Sequence, residues 1–190
     1  MDFNLSEEQE MLRAGADRFV RSHYTLEQRR QQIASGVPCK REHWAQFAEL
    51  GWLMLNVPAS AGGLGASLIE TSVLMQSFGR GPVLEPYINT AVLAARVLER
   101  ATENQIARQL LTDIANGERR FALAHGEPNG ADNPRAVKTA ASPHRDKYRL
   151  SGRKFMALDA PSADTLIVSG TVEGESAYAL FLVEHAAAGV

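Results

Sequence analysis

Phe121-Ala122-Leu123-Ala124-His125-Gly126-Glu127-Pro128-Asn129-Gly130-Ala131-Asp132-Asn133 divides the chain. Upstream of it, apolar residues recur every three or four positions, as on one face of a helix; downstream they alternate, as in strands. The stretch itself is a run of small residues ending a strand and breaking into an Asn/Gly/Pro turn. Backbone N–H groups at such a break are left free to meet an anionic or flat aromatic ligand.

Working back from it, helix signals come in series. Ser6 and Gln9 make a capping box, and Leu12, Ala16, Phe19, Val20 and Tyr24 follow as one stripe. Glu27–Ile33 adds a charged turn or two, ended by Gly36-Val37-Pro38. A helix over Arg41–Leu50 turns Trp44, Phe47 and Ala48 inward and stops at Gly51. Ser67 and Glu70 open another, running to Phe78 and closed by Gly79; Pro86 sits at the first position of the next, Tyr87–Glu99. Thr102 and Gln105 cap the last, with Ile106, Leu110 and Ile114 inward and Gly117 as its stop. Together these predict a helical bundle. Gly63 and Gly65 match two glycines of a dinucleotide fingerprint, but Leu68 stands where the third belongs, so the loop reads as a tight turn.

Working forward, strands are expected at Arg119–Ala124, Ala136–Ala140, Lys147–Leu150, Lys154–Leu158, Thr165–Ser169 and Tyr178–Val183. Ser151-Gly152 reads as the turn of a hairpin joining Lys147–Leu150 to Lys154–Leu158. The short spacings leave no room for helices between strands, which predicts an antiparallel, barrel-like sheet. The fold class expected is therefore multidomain α+β: an all-α bundle over residues 1–117, then a β domain over 118–190. That β domain reads as incomplete, because Val190 closely follows a strong apolar strand with no closing element.

Composition excludes several functions. The 190 residues are 45% hydrophobic, enough for a packed core, and a net charge of −2 provides no basic face for nucleic acid. The nearly uncharged run Gly51–Leu68 is broken by Pro58 and glycines, so it is no membrane span. Met1-Asp2-Phe3-Asn4 lacks the features of a signal peptide, and a cytoplasmic chain is expected. Cys39, the single cysteine, reads as structural; His23, His43, His144 and His185 show no metal-ligand spacing.

Glu127-Pro128-Asn129-Gly130-Ala131-Asp132-Asn133 resembles the acyl-CoA dehydrogenase segment TEPGAGSD. The likeness extends along the chain. Asp2–Gln9 is similar to the family's opening, Leu50–Pro58 with Gly62–Gly65 to its loop after the third helix, and Leu150-Ser151-Gly152-Arg153-Lys154 to its L-N-G-x-K hairpin. Val83–Tyr87, Ala122–His125 and Ser162–Val168 most resemble small subunits of pimeloyl-CoA-dehydrogenase-type heteromeric enzymes.

The resemblance implies an N-terminal helical domain, part of a middle β domain, and a C-terminal helical bundle that this sequence lacks. It implies FAD as cofactor, an acyl-CoA substrate desaturated between its α and β carbons, an electron-transfer acceptor, and assembly with itself or a larger homologous subunit. The family's glutamate base lies in that C-terminal bundle, so no catalytic residue is assigned and the 190 residues alone are expected to be inactive. The cofactor-binding positions it implies are Ala124, Gly126, Ala131, Asp132, Met156 and Leu158. Four depart from the pattern. Gly126 and Asp132 stand for a threonine and a serine that bond the flavin and its pyrophosphate, and Met156 and Leu158 for an aromatic wall and a hydroxyl donor.

Bland readings stand beside these. His125 is a proton donor, a flavin contact, or a strand-end histidine satisfied by a carbonyl; Glu127 is a base in appearance but structural in the family. Arg153 and Lys154 either meet CoA phosphates or are solvated turn charges, and Asp113–Arg120 reads as a solvated helix end. Three functions remain open: a flavin-dependent dehydrogenase, a non-catalytic subunit of one, and a helical interaction module without flavin.

Overall fold

The computed structural model describes residues 4–37, 39–101, 103–128, 130, 133–175 and 178–190. Helices come first: α1 (Glu7–His23), α2 (Leu26–Ser35), α3 (Arg41–Glu49), α4 (Leu68–Arg80), a π-helical stretch Ile88–Ala94 continuing as α5 (Ala95–Glu99), and α6 (Gln105–Ala115). The capping box at Ser6 and Gln9 forms, and Thr25 with Gln28 makes a second one at the head of α2. The last helix is capped by Asn104, whose side chain accepts from the Ile106 N–H at 2.8 Å; Thr102 lies outside the described residues. α4 continues through Gly79 to Arg80 and ends at Gly81. No helix among the described residues is long and apolar enough to cross a membrane.

Phe19, Trp44, Phe47, Trp52, Phe78 and Tyr87 form an aromatic core among the helices. A second cluster carries it into the sheet: Leu98, Leu110, Leu111 and Ile114 pack with Phe121 and Ile167. Thr90 locks the same junction. Its hydroxyl, wholly buried, accepts from the Phe121 N–H at 2.9 Å and donates to the Phe121 carbonyl at 3.0 Å.

The sheet contains β1 (Phe121–Ala124), β2 (Ala140–His144), β3 (Lys147–Ser151), β4 (Thr165–Val172) and β5 (Tyr178–Glu184). β4 is central. One of its edges pairs antiparallel with β5; the other pairs parallel with β1 at Phe121↔Thr165 to Ala124↔Val168, then parallel with β2 at Ala140↔Thr171. The sheet is open, as expected, but mixed rather than antiparallel. The chain between β1 and β4 is long enough to return in the same direction, which a hairpin turn could not do.

The hairpin also differs from expectation. β2 and β3 pair antiparallel through a turn at Arg145 and Asp146, with Arg145 at φ 55, and Lys154–Leu158 is not a strand. Gly152 serves close approach instead of a turn: a Cβ there would lie 2.5 Å from Thr139 Oγ1. The charged run ending at Arg120 is not simply solvated. The Arg120 guanidinium is buried and forks onto Asp164 at 3.1 and 3.0 Å. Burial works against the Asp164 charge, but the Arg120 bonds outweigh it and lower that carboxyl.

Candidate functional site

Two segments far apart in sequence meet where β1 ends. The Phe155 N–H donates to the Gly126 carbonyl at 2.8 Å, and Lys154 Nζ donates to the His125 carbonyl at 3.3 Å. Beyond this junction Phe155, Met156 and Leu158 expose 52, 72 and 64% of their surface. We refer to this exposed apolar segment as the ledge. Among the described residues nothing hydrogen-bonds to Met156 or Leu158, so their main-chain groups remain available. Met156 within the ledge and Asp159 just after it have φ of 51 and 62, a left-handed conformation that non-glycine residues adopt at a cost.

A buried charged network lies beside it. Glu127 Oε1 accepts from Lys154 Nζ at 2.7 Å, from the Thr139 N–H at 2.9 Å and from the Thr139 hydroxyl at 2.7 Å; its Oε2 accepts from the Lys138 N–H at 2.9 Å. Burial alone would raise the Glu127 carboxyl. The bonds from Lys154, Thr139 and Lys138 outweigh it and hold the group at about 2. Lys154 is thus neither a solvated turn charge nor free for a phosphate, because its ammonium is committed to Glu127, Ser169 and His125.

Ser169 extends the network. Its hydroxyl accepts from Lys154 at 2.8 Å and meets His125 Nδ1 at 3.0 Å, while His125 Nε2 lies 2.8 Å from the Pro134 carbonyl. A carbonyl can only accept, so Nε2 carries a proton and donates to Pro134. His125 is therefore a strand-end histidine satisfied by a carbonyl.

The six implied cofactor positions separate. Ala124 is buried at the end of β1 with Ala122, Ala163, Leu166 and Val168. Gly126 is joined to the ledge segment through Phe155, the neighbour of Met156, with Leu158 further along that segment; Ala131 and Asp132 lie outside the described residues. At Gly126 the absence of a side chain has a steric consequence: a Cβ would fall 2.9 Å from the Phe155 carbonyl oxygen. Sequence reading missed Ser169, Asn89 and the pairing of Glu127 with Lys154. These residues are remote from one another along the chain, and no local pattern flags them.

The comparisons with known proteins fit this geometry. The family described as acyl-CoA dehydrogenase, N-terminal domain, matches residues 6–118. Mitochondrial isovaleryl-CoA dehydrogenase of Pongo abelii is 33% identical over 168 residues, 86% of this chain and 39% of the relative. Among solved structures, a variant of the Tcur3481-Tcur3483 steroid ACAD superposes with a TM-score of 0.82 at 30% identity, covering 96% of this chain and 49% of that one. The ChsE4-ChsE5 complex from Mycobacterium tuberculosis gives 0.82 at 24% identity over 100% of this chain and 50% of that one, a likeness of fold. The chain spans about half the length of these structures and less of the isovaleryl enzyme. The matched helical region and the shared fold leave one assignment: the chain belongs to the acyl-CoA dehydrogenase family.

Proposed function

We propose that the chain is one component of a flavin-dependent acyl-CoA dehydrogenase, the helical domain over 1–117 and part of the middle β domain over 118–190, and that it works assembled with a larger homologous subunit. The observation that carries this reading is the ledge. Two segments that the family likeness implies for flavin binding meet there, with exposed apolar side chains and unused main-chain groups.

The residues present fit a flavin in part. A flat aromatic ring suits the apolar surface of Phe155, Met156 and Leu158, and the main chain at Met156 and Leu158 can still hydrogen-bond. Side-chain bonds from positions 126 and 158 are gone, since glycine and leucine offer none. That partial fit favours a flavin held jointly with a partner over one held by this chain alone. The two-component names of the steroid ACAD and of ChsE4-ChsE5 point the same way.

Bound there, FAD would supply the acceptor for the hydride that leaves the β-carbon of an acyl-CoA. Glu127 does not supply the base for the α-proton. Buried, fully bonded and held at about 2, it is a weak base with no access to substrate.

The test is to co-express the chain with a larger homologous subunit, purify the complex, and add acyl-CoA esters without oxygen. Bleaching of the flavin band together with formation of the enoyl-CoA is expected. A flavin-containing complex that no acyl-CoA bleaches refutes the reading.

A further inference from the structure

Between the helices and the ledge, the described residues make a single polar bridge. Asn89 Nδ2 donates to Asp159 Oδ2 at 2.6 Å. Asn89 is the second residue of the π-helical stretch and only 8% exposed. A π-helical stretch is a rare, costly departure from α geometry that recurs at functional sites. Here neighbouring residues of it reach two different segments, Thr90 bonding Phe121 in β1 and Asn89 bonding Asp159 after the ledge. Asp159 in turn follows the ledge in a left-handed conformation, which Met156 within it shares. Such backbone persists only where surrounding contacts over-determine it. At Asp159 the contacts are Asn89 on the carboxylate, and the Ser162 N–H at 2.9 Å and hydroxyl at 3.0 Å on the carbonyl.

We propose that Asn89 is a positioning residue, which fixes Asp159 and through it the shape of the Phe155–Leu158 ledge on which flavin binds. The proposal rests on the flavin reading above. It adds that the helical domain sets flavin affinity from outside the two segments that the family likeness implies for flavin binding. Asn89 touches no flavin atom in this account; its effect passes through Asp159.

The experiment uses the co-expressed complex, stripped of FAD and titrated back, with FAD affinity read from quenching of flavin fluorescence and the environment of the ring from its visible band. Asn89→Ala should bind FAD roughly tenfold more weakly, about the factor one hydrogen bond to a carboxylate contributes. Asn89→Asp sets two carboxyl groups against each other, and these repel when both are ionised but share a proton at lower pH. Its FAD affinity should rise as pH falls from about 8 to about 5.5, while that of the wild type stays flat.

Among the described residues the Cys39 thiol also faces Asp159. Burial and the nearby Glu85 charge push it up to about 11, so it stays neutral throughout this range. Asp159→Asn keeps an acceptor for Asn89 and a side chain tolerant of left-handed backbone, and should bind FAD within about twofold of the wild type. If Asn89→Ala does not fold, the Asn89→Asp pH profile decides. A flat profile, or equal affinity in Asn89→Ala and wild type, overturns the positioning role and leaves the flavin reading standing. A wild-type complex that takes up no FAD overturns both.

Discussion

Replacing Lys154 with methionine should destabilise the protein by about 3 kcal/mol at neutral pH, and the loss should shrink in acid. The Lys154 ammonium has three protons and three acceptors: Glu127 Oε1 at 2.7 Å, Ser169 Oγ at 2.8 Å and the His125 carbonyl at 3.3 Å. Methionine fills a similar volume but leaves the buried Glu127 without its cation. Folding takes the Glu127 carboxyl from 4.5 to about 2, against the opposing effect of burial. The folded value is the lower one, so this stabilisation is complete above 4.5 and is lost as the pH falls toward 2. At about 1.36 kcal/mol per pH unit, the set of bonds on Glu127 contributes roughly 3 kcal/mol at pH 7, and Lys154 leads the groups that lower it.

Urea unfolding of the wild type and Lys154→Met at about pH 7 and about pH 4 measures this directly. A loss of about 3 kcal/mol, or a fall of roughly 6–12 °C in Tm, is expected at neutral pH. The gap should narrow in acid, where the variant can bury Glu127 protonated. Glu127→Gln combined with Lys154→Met should recover part of the loss, because no unpaired charge then remains. A deficit below about 1 kcal/mol, or one equal at both pH values, would refute the claim that this ion pair underpins the ledge.

Two further substitutions test the junctions around it. Thr90→Val keeps the shape of a fully buried side chain but strands the N–H and carbonyl of Phe121, and should cost about 2–4 kcal/mol in urea unfolding with faster amide exchange in β1; full stability would show that the bonds to Phe121 are dispensable. Gly126→Thr restores the residue type of the family segment but drives a Cβ against the Phe155 carbonyl. It should lower stability by about 1–3 kcal/mol and reduce FAD content; a variant richer in flavin than the wild type would contradict the steric reading.

Local signals were legible in the sequence and long-range ones were not. The Ser6–Gln9 box, the Trp44 and Phe47 stripe and the change of period near Gly117 all depend on residues within a few positions of one another, and each element forms where that pattern places it. The β2–β3 hairpin was missed because Arg145-Asp146 contains no glycine, while Ser151-Gly152 offered a conventional turn that Gly152 does not use. Parallel pairing of β1 with β4 is set by tertiary packing of Phe121 and Ile167 on the helices, and no alternation pattern encodes strand direction.

At the candidate site the end of β1 and the break after it were readable in the sequence, yet the contacts that support them were not. Glu127 and Lys154 lie 27 positions apart, and Asn89 and Asp159 lie 70 apart. A lysine after a Ser-Gly pair carries no mark that distinguishes a buried ion pair from a solvated charge. The family likeness supplied the segments; the folded chain shows that a Cβ at Gly126 would press on the Phe155 carbonyl.

The most direct test of the account is the visible absorption spectrum of the protein purified alone and purified after co-expression with a larger homologous dehydrogenase subunit, with FAD quantified per polypeptide. The account predicts little or no flavin on the protein alone, and bound flavin in the complex at fewer than one per chain. Stoichiometric FAD on the protein alone would contradict the shared site, and a complex free of FAD would contradict the flavin reading itself.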